Sequence, residues 1–147
     1  MKVAGQQKIV APRQIVWESL LDPEVLAGTL PGFRRLERVG ENEFAGALTL
    51  GVGPVQGSFE GRVKLDDLCP PESYSMRMEG RGGPGFVEGS GNIRLRDDGE
   101  ETLLEYDLDV QVGGRLAGLG QRLLDMTARM LTKQGLSRLT DAIEARA

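Results

Sequence analysis

The most constraining feature of this sequence is a long stretch in which apolar and polar residues alternate with period two. Between Phe33 and Val112 the alternation predicts six strands, each with one apolar and one polar face. Strands of this kind are typical of an antiparallel sheet whose apolar face is covered by another element. The segment from Arg115 onward has apolar residues at helical spacing, so it is the expected cover.

The residues before this stretch predict one more strand and two short helices. Met1–Val10 alternates loosely and is predicted as the first strand. A helix can begin at Pro12, and Asp22-Pro23 ends it and begins a second helix, which carries Leu30 and stops at Pro31-Gly32. This order predicts an α+β fold in which a curved antiparallel seven-stranded sheet wraps around a long C-terminal helix. We expect residues 1–147 to form one domain, since a domain usually takes roughly 100–200 residues.

Composition excludes several kinds of protein and site. The chain has 18 Lys and Arg against 22 Asp and Glu, a net charge of −4, whereas nucleic-acid-binding domains concentrate positive charge. Histidine is absent, which excludes Ser-His and Cys-His nucleophile pairs and His-ligated metals. The single cysteine, Cys69, fits a reducing cytoplasm, and no apolar run is long enough to span a membrane. No cofactor, no metal and no catalytic residue is expected.

Glycines recur on the predicted apolar faces of three neighbouring strands. A glycine inside a strand marks a bulge, a bend or the close approach of another element. Any one of them alone fits a bulge, but the group indicates removed side-chain volume, as a bend, a cavity or both. The five glycines are Gly46, Gly57, Gly61, Gly89 and Gly91.

Three glycine-rich connections are predicted at one end of the sheet, because alternate connections of a meander lie at opposite ends. Gly-Pro pairs also form ordinary turns. Because three of them coincide beside the start of the long helix, we interpret them as a flexible apolar entrance to the space between sheet and helix. The predicted entrance residues are Gly51, Val52, Gly53, Pro54, Val55, Gly82, Gly83, Pro84, Gly85, Phe86 and Leu116.

The side chains predicted between sheet and helix are mainly apolar. A cluster of methionines is usually ordinary core, yet methionine also adapts to varied apolar ligands. Such an interior suits a quinone-like, isoprenoid or lipid-like molecule oriented by one or two hydroxyl groups. The predicted cavity residues are Leu48, Leu50, Phe59, Val63, Tyr74, Met76, Met78, Tyr106, Leu108, Leu119, Leu123, Met126, Thr127 and Met130.

Two further predictions concern the last helix and one hairpin. The apolar stripe of the helix changes phase after Gly135, so we expect a bend there against the same domain, the alternative being that the last turns meet a partner. In the hairpin, alignment of Ile93 with Tyr106 places Arg94 opposite Glu105 as a modest surface pair.

Several short motifs follow one another along nearly the whole chain and together resemble a known family. They are Ala11-Pro12 with Val16-Trp17, Asp22-Pro23-Glu24-Val25-Leu26 followed by Leu30-Pro31-Gly32, Val52-Gly53-Pro54-Val55, Pro70-Pro71-Glu72-Ser73-Tyr74, the glycine run from Gly80 to Gly91, and Val112-Gly113-Gly114-Arg115-Leu116. In this order they resemble the carbon monoxide dehydrogenase CoxG family, which belongs to the START-like, or SRPBCC, helix-grip superfamily.

The resemblance implies a non-catalytic accessory protein whose cavity suits a quinone-like ligand. Proteins of this family are associated with molybdenum hydroxylases of the carbon monoxide dehydrogenase type and are thought to link the enzyme to the membrane. Many relatives carry an anchoring tail after the domain. Because the sequence ends at Ala147, we expect a cytoplasmic protein with at most transient contact with the inner face of the membrane.

Two other functions remain open at this point. The same fold hosts enzymes of cyclase and hydrolase type, which need acid or base groups inside, and only tyrosines and Glu88 on a slipped register are available. The chain could instead be an assembly factor with an incidental cavity. Its signature would be an exposed apolar patch around Phe86, Leu116 or Leu136.

Overall fold

Seven strands form one antiparallel sheet in the computed structural model, which describes residues 1–29 and 32–147. The order β1-β7-β6-β5-β4-β3-β2 confirms the predicted meander and leaves β1 and β2 at the two edges. The strands are β1 (Lys2–Ile9), β2 (Phe33–Gly40), β3 (Glu43–Val52), β4 (Val55–Cys69), β5 (Ser73–Gly82), β6 (Gly85–Asp98) and β7 (Glu101–Gly113).

Two short helices lie between β1 and β2, as predicted. They are α1 (Arg13–Leu20) and α2 (Pro23–Ala27). The side chain of Asp22 caps α2 by accepting a hydrogen bond from the backbone N–H of Glu24 at 2.9 Å. The helix ends at Ala27, earlier than predicted, and the predicted end at Leu30 and Pro31 lies outside the described residues.

The C-terminal helical segment is interrupted at Gly120, and α3 has no break at Gly135, where a bend is predicted. A 3₁₀ helix (Gly114–Leu119) precedes α3 (Gln121–Glu144), and α3 continues through Gly135. Gly120 has φ 89°, a conformation that favours glycine, and this residue separates the two helices. The last turns pack on the domain, because Leu139 and Ile143 are buried in its core.

The predicted register of β6 and β7 is confirmed, but the ion pair is not the predicted one. Ile93 lies opposite Tyr106 and Arg94 lies opposite Glu105. The carboxylate of Glu105 pairs with Arg96, which lies on the same outer face two residues further along β6. Diagonal neighbours of this kind are within reach of long side chains.

Two apolar clusters fill the two ends of the concave face of the sheet. The first cluster lies under α1 and the second half of α3, and its buried members include Ile9, Trp17, Phe44, Tyr74 and Ile143. The second cluster has Val52, Phe59 and Leu116 as its buried members. No helix in the described ranges is long and apolar enough to cross a bilayer.

Candidate functional site

The floor of the candidate site is the middle of the concave face, between the two clusters. Strand register aligns Val63, Met78, Gly89 and Val110 in one row across β4 to β7. Met78, Gly89 and Val110 are only half-buried, and neither cluster includes Met78 or Val110. The middle of the concave face is therefore packed less closely than its ends.

Three of the predicted inward glycines produce the curvature of this floor. A Cβ at Gly46, Gly61 or Gly91 would collide with a backbone carbonyl oxygen of the neighbouring strand. Only glycine permits adjacent strands to approach so closely on the concave side. At these three positions the absence of a side chain lets the neighbouring backbone approach, so it leaves no empty space.

Two other inward glycines accommodate neighbouring side chains, while Gly80 faces open space. A Cβ at Gly57 would meet the ring of Pro84, at 2.5 Å from its Cγ, and one at Gly89 would meet the Cε of Met78 at 2.9 Å. For Gly80, the nearest atom to a Cβ is a backbone oxygen 3.9 Å away. Gly80 is therefore the glycine of the floor with room above it.

The three glycine-rich connections meet at one end of the sheet as predicted, but they close that end. Pro84 is fully buried, and its carbonyl oxygen accepts a hydrogen bond from the backbone N–H of Leu116 at 3.1 Å. Leu123 of α3 packs against Gly53, since a Cβ there would lie 2.9 Å from a Leu123 methyl carbon. The prediction that Val52 and Leu116 border an open entrance is wrong, because both are buried in the second cluster.

The other predicted entrance residues lie on the outer face of the sheet or in its turns. Phe86 lies on the outer face, with the guanidinium carbon of Arg81 5.4 Å from the centre of its ring. Its pairing with Gly113 places the neighbouring Val87, not Phe86, on the concave side. Two of the remaining predicted entrance residues, Val55 and Gly85, are half-buried. The others are exposed: Gly51, Gly53, Pro54, Gly82 and Gly83.

The structure distributes the predicted cavity residues over the two clusters, the floor between them and α3. Those in the second cluster are Leu48, Leu50, Phe59, Leu119 and Leu123. Those in the first cluster or packed against it are Val63, Tyr74, Met76 and Tyr106. Met78 and Leu108 lie between the clusters, and Thr127 is half-buried on α3.

Met126 and Met130, which are predicted to line the cavity, are exposed in the structure. Their exposed fractions are 59% and 58%. Leu139 and Ile143 are buried in the first cluster, whereas Leu123, which lies about 160° from Leu139 around the helix, packs in the second cluster. The predicted apolar stripe therefore spans more than one face of α3.

A groove of about 940 Å³ lies between β1 and α3. It exists because β1 is an edge strand, so no further strand covers this side. Tyr106 faces the concave side of the sheet and also lines the groove. The other lining residues are Met1, Lys2, Val3, Ala4, Gln6, Gln7, Gln121, Asp125, Ala128, Arg129, Thr132, Lys133, Leu136, Ser137, Thr140 and Asp141.

Sequence reasoning missed this groove because its helical side is polar. Arg129 and Lys133 lie off the apolar stripe, where side chains normally face solvent. The only signal in the sequence was the change of phase beyond Gln134, which places Leu136, Leu139 and Ile143 on a different side of the helix. That change marks the rotation of the buried face toward β1.

Among the described residues, the concave face of β3 to β7 offers no acid–base pair. In β3 to β7, every Asp and Glu alternates onto the outer face or the strand ends, and Glu88 forms an ion pair with Arg81 at 3.4 Å on that outer face. Tyr74 is buried edge-on against Trp17, with ring centres 5.6 Å apart, and burial raises the pKa of its phenol. Within residues 1–29 and 32–147 no group of three potential metal ligands occurs.

Comparison with known proteins agrees with this architecture. The model of the carbon monoxide dehydrogenase CoxG family matches residues 5–144. A conserved protein from Geobacillus kaustophilus is similar in structure with TM-score 0.91 and 31% identity, covering 97% of this chain and 95% of that one. None of the curated proteins matches the chain significantly.

More distant structures share the fold alone. The Zhui aromatase/cyclase from Streptomyces sp. R1128 has TM-score 0.71 and 20% identity, with 99% of this chain and 94% of that one covered. A START superfamily protein from Mycobacterium smegmatis has TM-score 0.65 and 16% identity, with coverage of 99% and 95%.

Proposed function

The chain belongs to the carbon monoxide dehydrogenase CoxG family, and we propose that it is a non-catalytic protein that binds a quinone- or lipid-like molecule between its sheet and α3. The observation that carries this proposal is the half-buried apolar middle of the concave face, which lies between the two clusters. Apolar surface that is neither packed nor fully solvated is typical of a ligand site.

A binding role accounts for the chemistry of the interior better than catalysis. The middle of the floor carries Met78, Leu108 and Val110, which supply apolar contact and no proton donor or acceptor. The phenol of Tyr74 is neutral at physiological pH, and burial raises its pKa further above the ordinary value of 10.0. The aromatase/cyclase is related to this chain by fold alone, and a cyclase of this kind would need positioned acid and base groups.

The direct test is to identify what the purified protein carries. Native mass spectrometry and solvent extraction of freshly purified protein should reveal a hydrophobic molecule bound in a one-to-one ratio. Protein that is consistently empty, and that binds neither a short-chain quinone nor a fatty acid when these are added, would contradict the proposal.

A substitution in the floor locates the site. Gly80→Leu places a side chain in the open space above the floor and should weaken ligand binding at least tenfold while the protein still folds. Gly83→Leu is the matched control, because no atom lies within 4 Å of a Cβ at Gly83 and the residue is exposed. Equal affinity of the two variants would place the ligand elsewhere.

We also propose that the protein is cytoplasmic and links a molybdenum hydroxylase of the carbon monoxide dehydrogenase type to the membrane. Family membership supports this partner, and exposed Met126 and Met130 supply an apolar surface for it. Pull-down of such an enzyme by the wild-type protein, lost in the Met126→Asp, Met130→Asp double variant, is the expected result. Binding that fails for both proteins would exclude this partner.

A further inference from the structure

The groove between β1 and α3 has a distribution of charge that the proposed binding function does not require. Its helical wall carries acidic residues toward its two ends, Asp125 and Asp141, and basic residues between them, Arg129 and Lys133. At about 1.5 Å per residue, Arg129 is about 6 Å along the helix from Asp125, and Lys133 is about 12 Å from either aspartate. The middle of this wall is therefore positively charged.

The two middle cations have no ionic partner in the described part of the chain. No carboxylate lies within 4.0 Å of Arg129 or Lys133, although nine other basic groups do have such a partner. The strand side of the groove does not supply one, because Lys2 and the N-terminal amino group both approach Asp109, at 3.4 and 3.8 Å. Asp125 accepts a hydrogen bond from Gln121 at 2.7 Å.

The groove also joins this charge to an apolar surface. Val3, Ala128 and Leu136 line it, and Tyr106 connects it to the concave face. No hydrogen-bond partner of the Tyr106 hydroxyl occurs among the described residues, so this group can donate to a ligand. A molecule with an anionic head and an apolar tail matches both parts, with its head at the cations and its tail over the floor.

We infer that the groove between β1 and α3 holds the anionic head group of a single-chain amphiphile, a carboxylate or a phosphate, at Arg129 and Lys133. This inference rests on the proposed ligand-binding function and narrows its ligand class, since a quinone is uncharged. It also assigns ligand entry to the β1 side of α3, away from the end that the glycine-rich connections close.

The experiment compares two probes that differ only in the head group, decanoate and decan-1-ol. Each competes with a neutral fluorescent probe, N-phenyl-1-naphthylamine, on the full chain at low salt and at 0.5 M NaCl. Decanoate should bind about fivefold more tightly at low salt, because solvent-accessible charge pairs are weak individually, and the ratio should shrink at high salt.

Matched double variants assign this preference to the groove. Arg129→Gln with Lys133→Gln should bring the ratio close to one without changing the affinity for decan-1-ol. Arg122→Gln with Arg138→Gln removes the same charge from positions of α3 outside the groove and should keep the ratio.

Three results would overturn the inference. Equal affinity of the wild-type protein for both probes would do so and leave the proposed function intact, whereas failure to bind either probe or a quinone would end both. Adsorption to phosphatidylglycerol vesicles, without binding of monomeric decanoate, would assign the two cations to a membrane surface instead of a ligand head group.

Discussion

The two halves of α3 lie over the same sheet but pack against it differently. The second half is buried in the first cluster through Leu139 and Ile143. The first half contacts the closed end through Leu123, while Met126 and Met130 are exposed. The helix is thus held at both ends, and the floor beneath its middle stays half-buried. An internal site can be formed in this way without any loss of packing at the ends.

The largest expected effect separates the two halves of the helix directly. Ile143→Ala should lower the free energy of unfolding by about 2–5 kcal/mol, because it leaves a cavity in a fully buried part of the core. Met130→Ala should change it by less than about 0.5 kcal/mol, because that side chain is exposed. Urea unfolding followed by circular dichroism measures both.

Similar losses of stability in Ile143→Ala and Met130→Ala would contradict the difference in packing between the two halves of α3. Such a result would mean that Met130 is buried in solution, against the sheet or a second molecule. Repeating the measurement over a tenfold range of protein concentration distinguishes these two cases, because association makes stability concentration-dependent.

The next effect concerns two glycines of the floor. Gly91→Ala should destabilise the protein by about 1–3 kcal/mol, because its Cβ would collide with the carbonyl oxygen of Asp107 on the neighbouring strand. Gly80→Ala should be neutral or stabilising by less than about 1 kcal/mol, since its Cβ finds open space and the unfolded chain loses freedom. Thermal unfolding of the two variants tests this, and a loss of stability in Gly80→Ala would show that the space above it is filled.

A third effect depends on pH and belongs to the packed end. Burial raises the pKa of Tyr74 in the folded protein above its ordinary value of 10.0. Above that pH the unfolded chain loses a proton that the folded protein keeps, so stability should fall by about 1.4 kcal/mol for each further pH unit. Tyr74→Phe should remove this part of the pH dependence, measured as unfolding free energy between pH 8 and 11.

The wild-type and Tyr74→Phe proteins share every other titrating group. The hydrogen bond that Lys8 donates to Glu101 raises the pKa of its ammonium group, so the loss of this proton at high pH also lowers stability. Because both proteins contain Lys8, its contribution cancels in the difference between them. Identical pH profiles for the two proteins would mean that the phenol of Tyr74 reaches water.

The architecture could be predicted from the sequence because it depends on local pattern. Period-two alternation fixes which face of each strand is apolar, and the meander follows from short connections. The register of β6 and β7 followed from aligning Ile93 with Tyr106. The break at Gly120 was not predicted, since several glycines in that segment are equally capable of a positive φ.

The site was predicted less well because it depends on how elements meet. Pro84 looks like part of an exposed turn in the sequence, yet it is buried against Gly57, and this packing closes the expected entrance. The exposure of Met126 depends on how distant residues hold α3 against the sheet, which periodicity within one helix does not reveal. The groove depends on β1 being an edge strand, and no single segment encodes that.

The smallest expected effect tests the last attachment of the well-packed half of α3. Just beyond α3, Arg146 reaches the carboxylate of Asp22 at 3.0 Å and the hydroxyl of Ser19 at 3.2 Å. Arg146→Ala should cost less than about 1 kcal/mol, because the pair is partly exposed. In an Asp22→Asn background, which keeps the cap of α2, the cost should fall further. An undiminished cost in 1 M NaCl would instead show that the guanidinium stabilises the domain by packing.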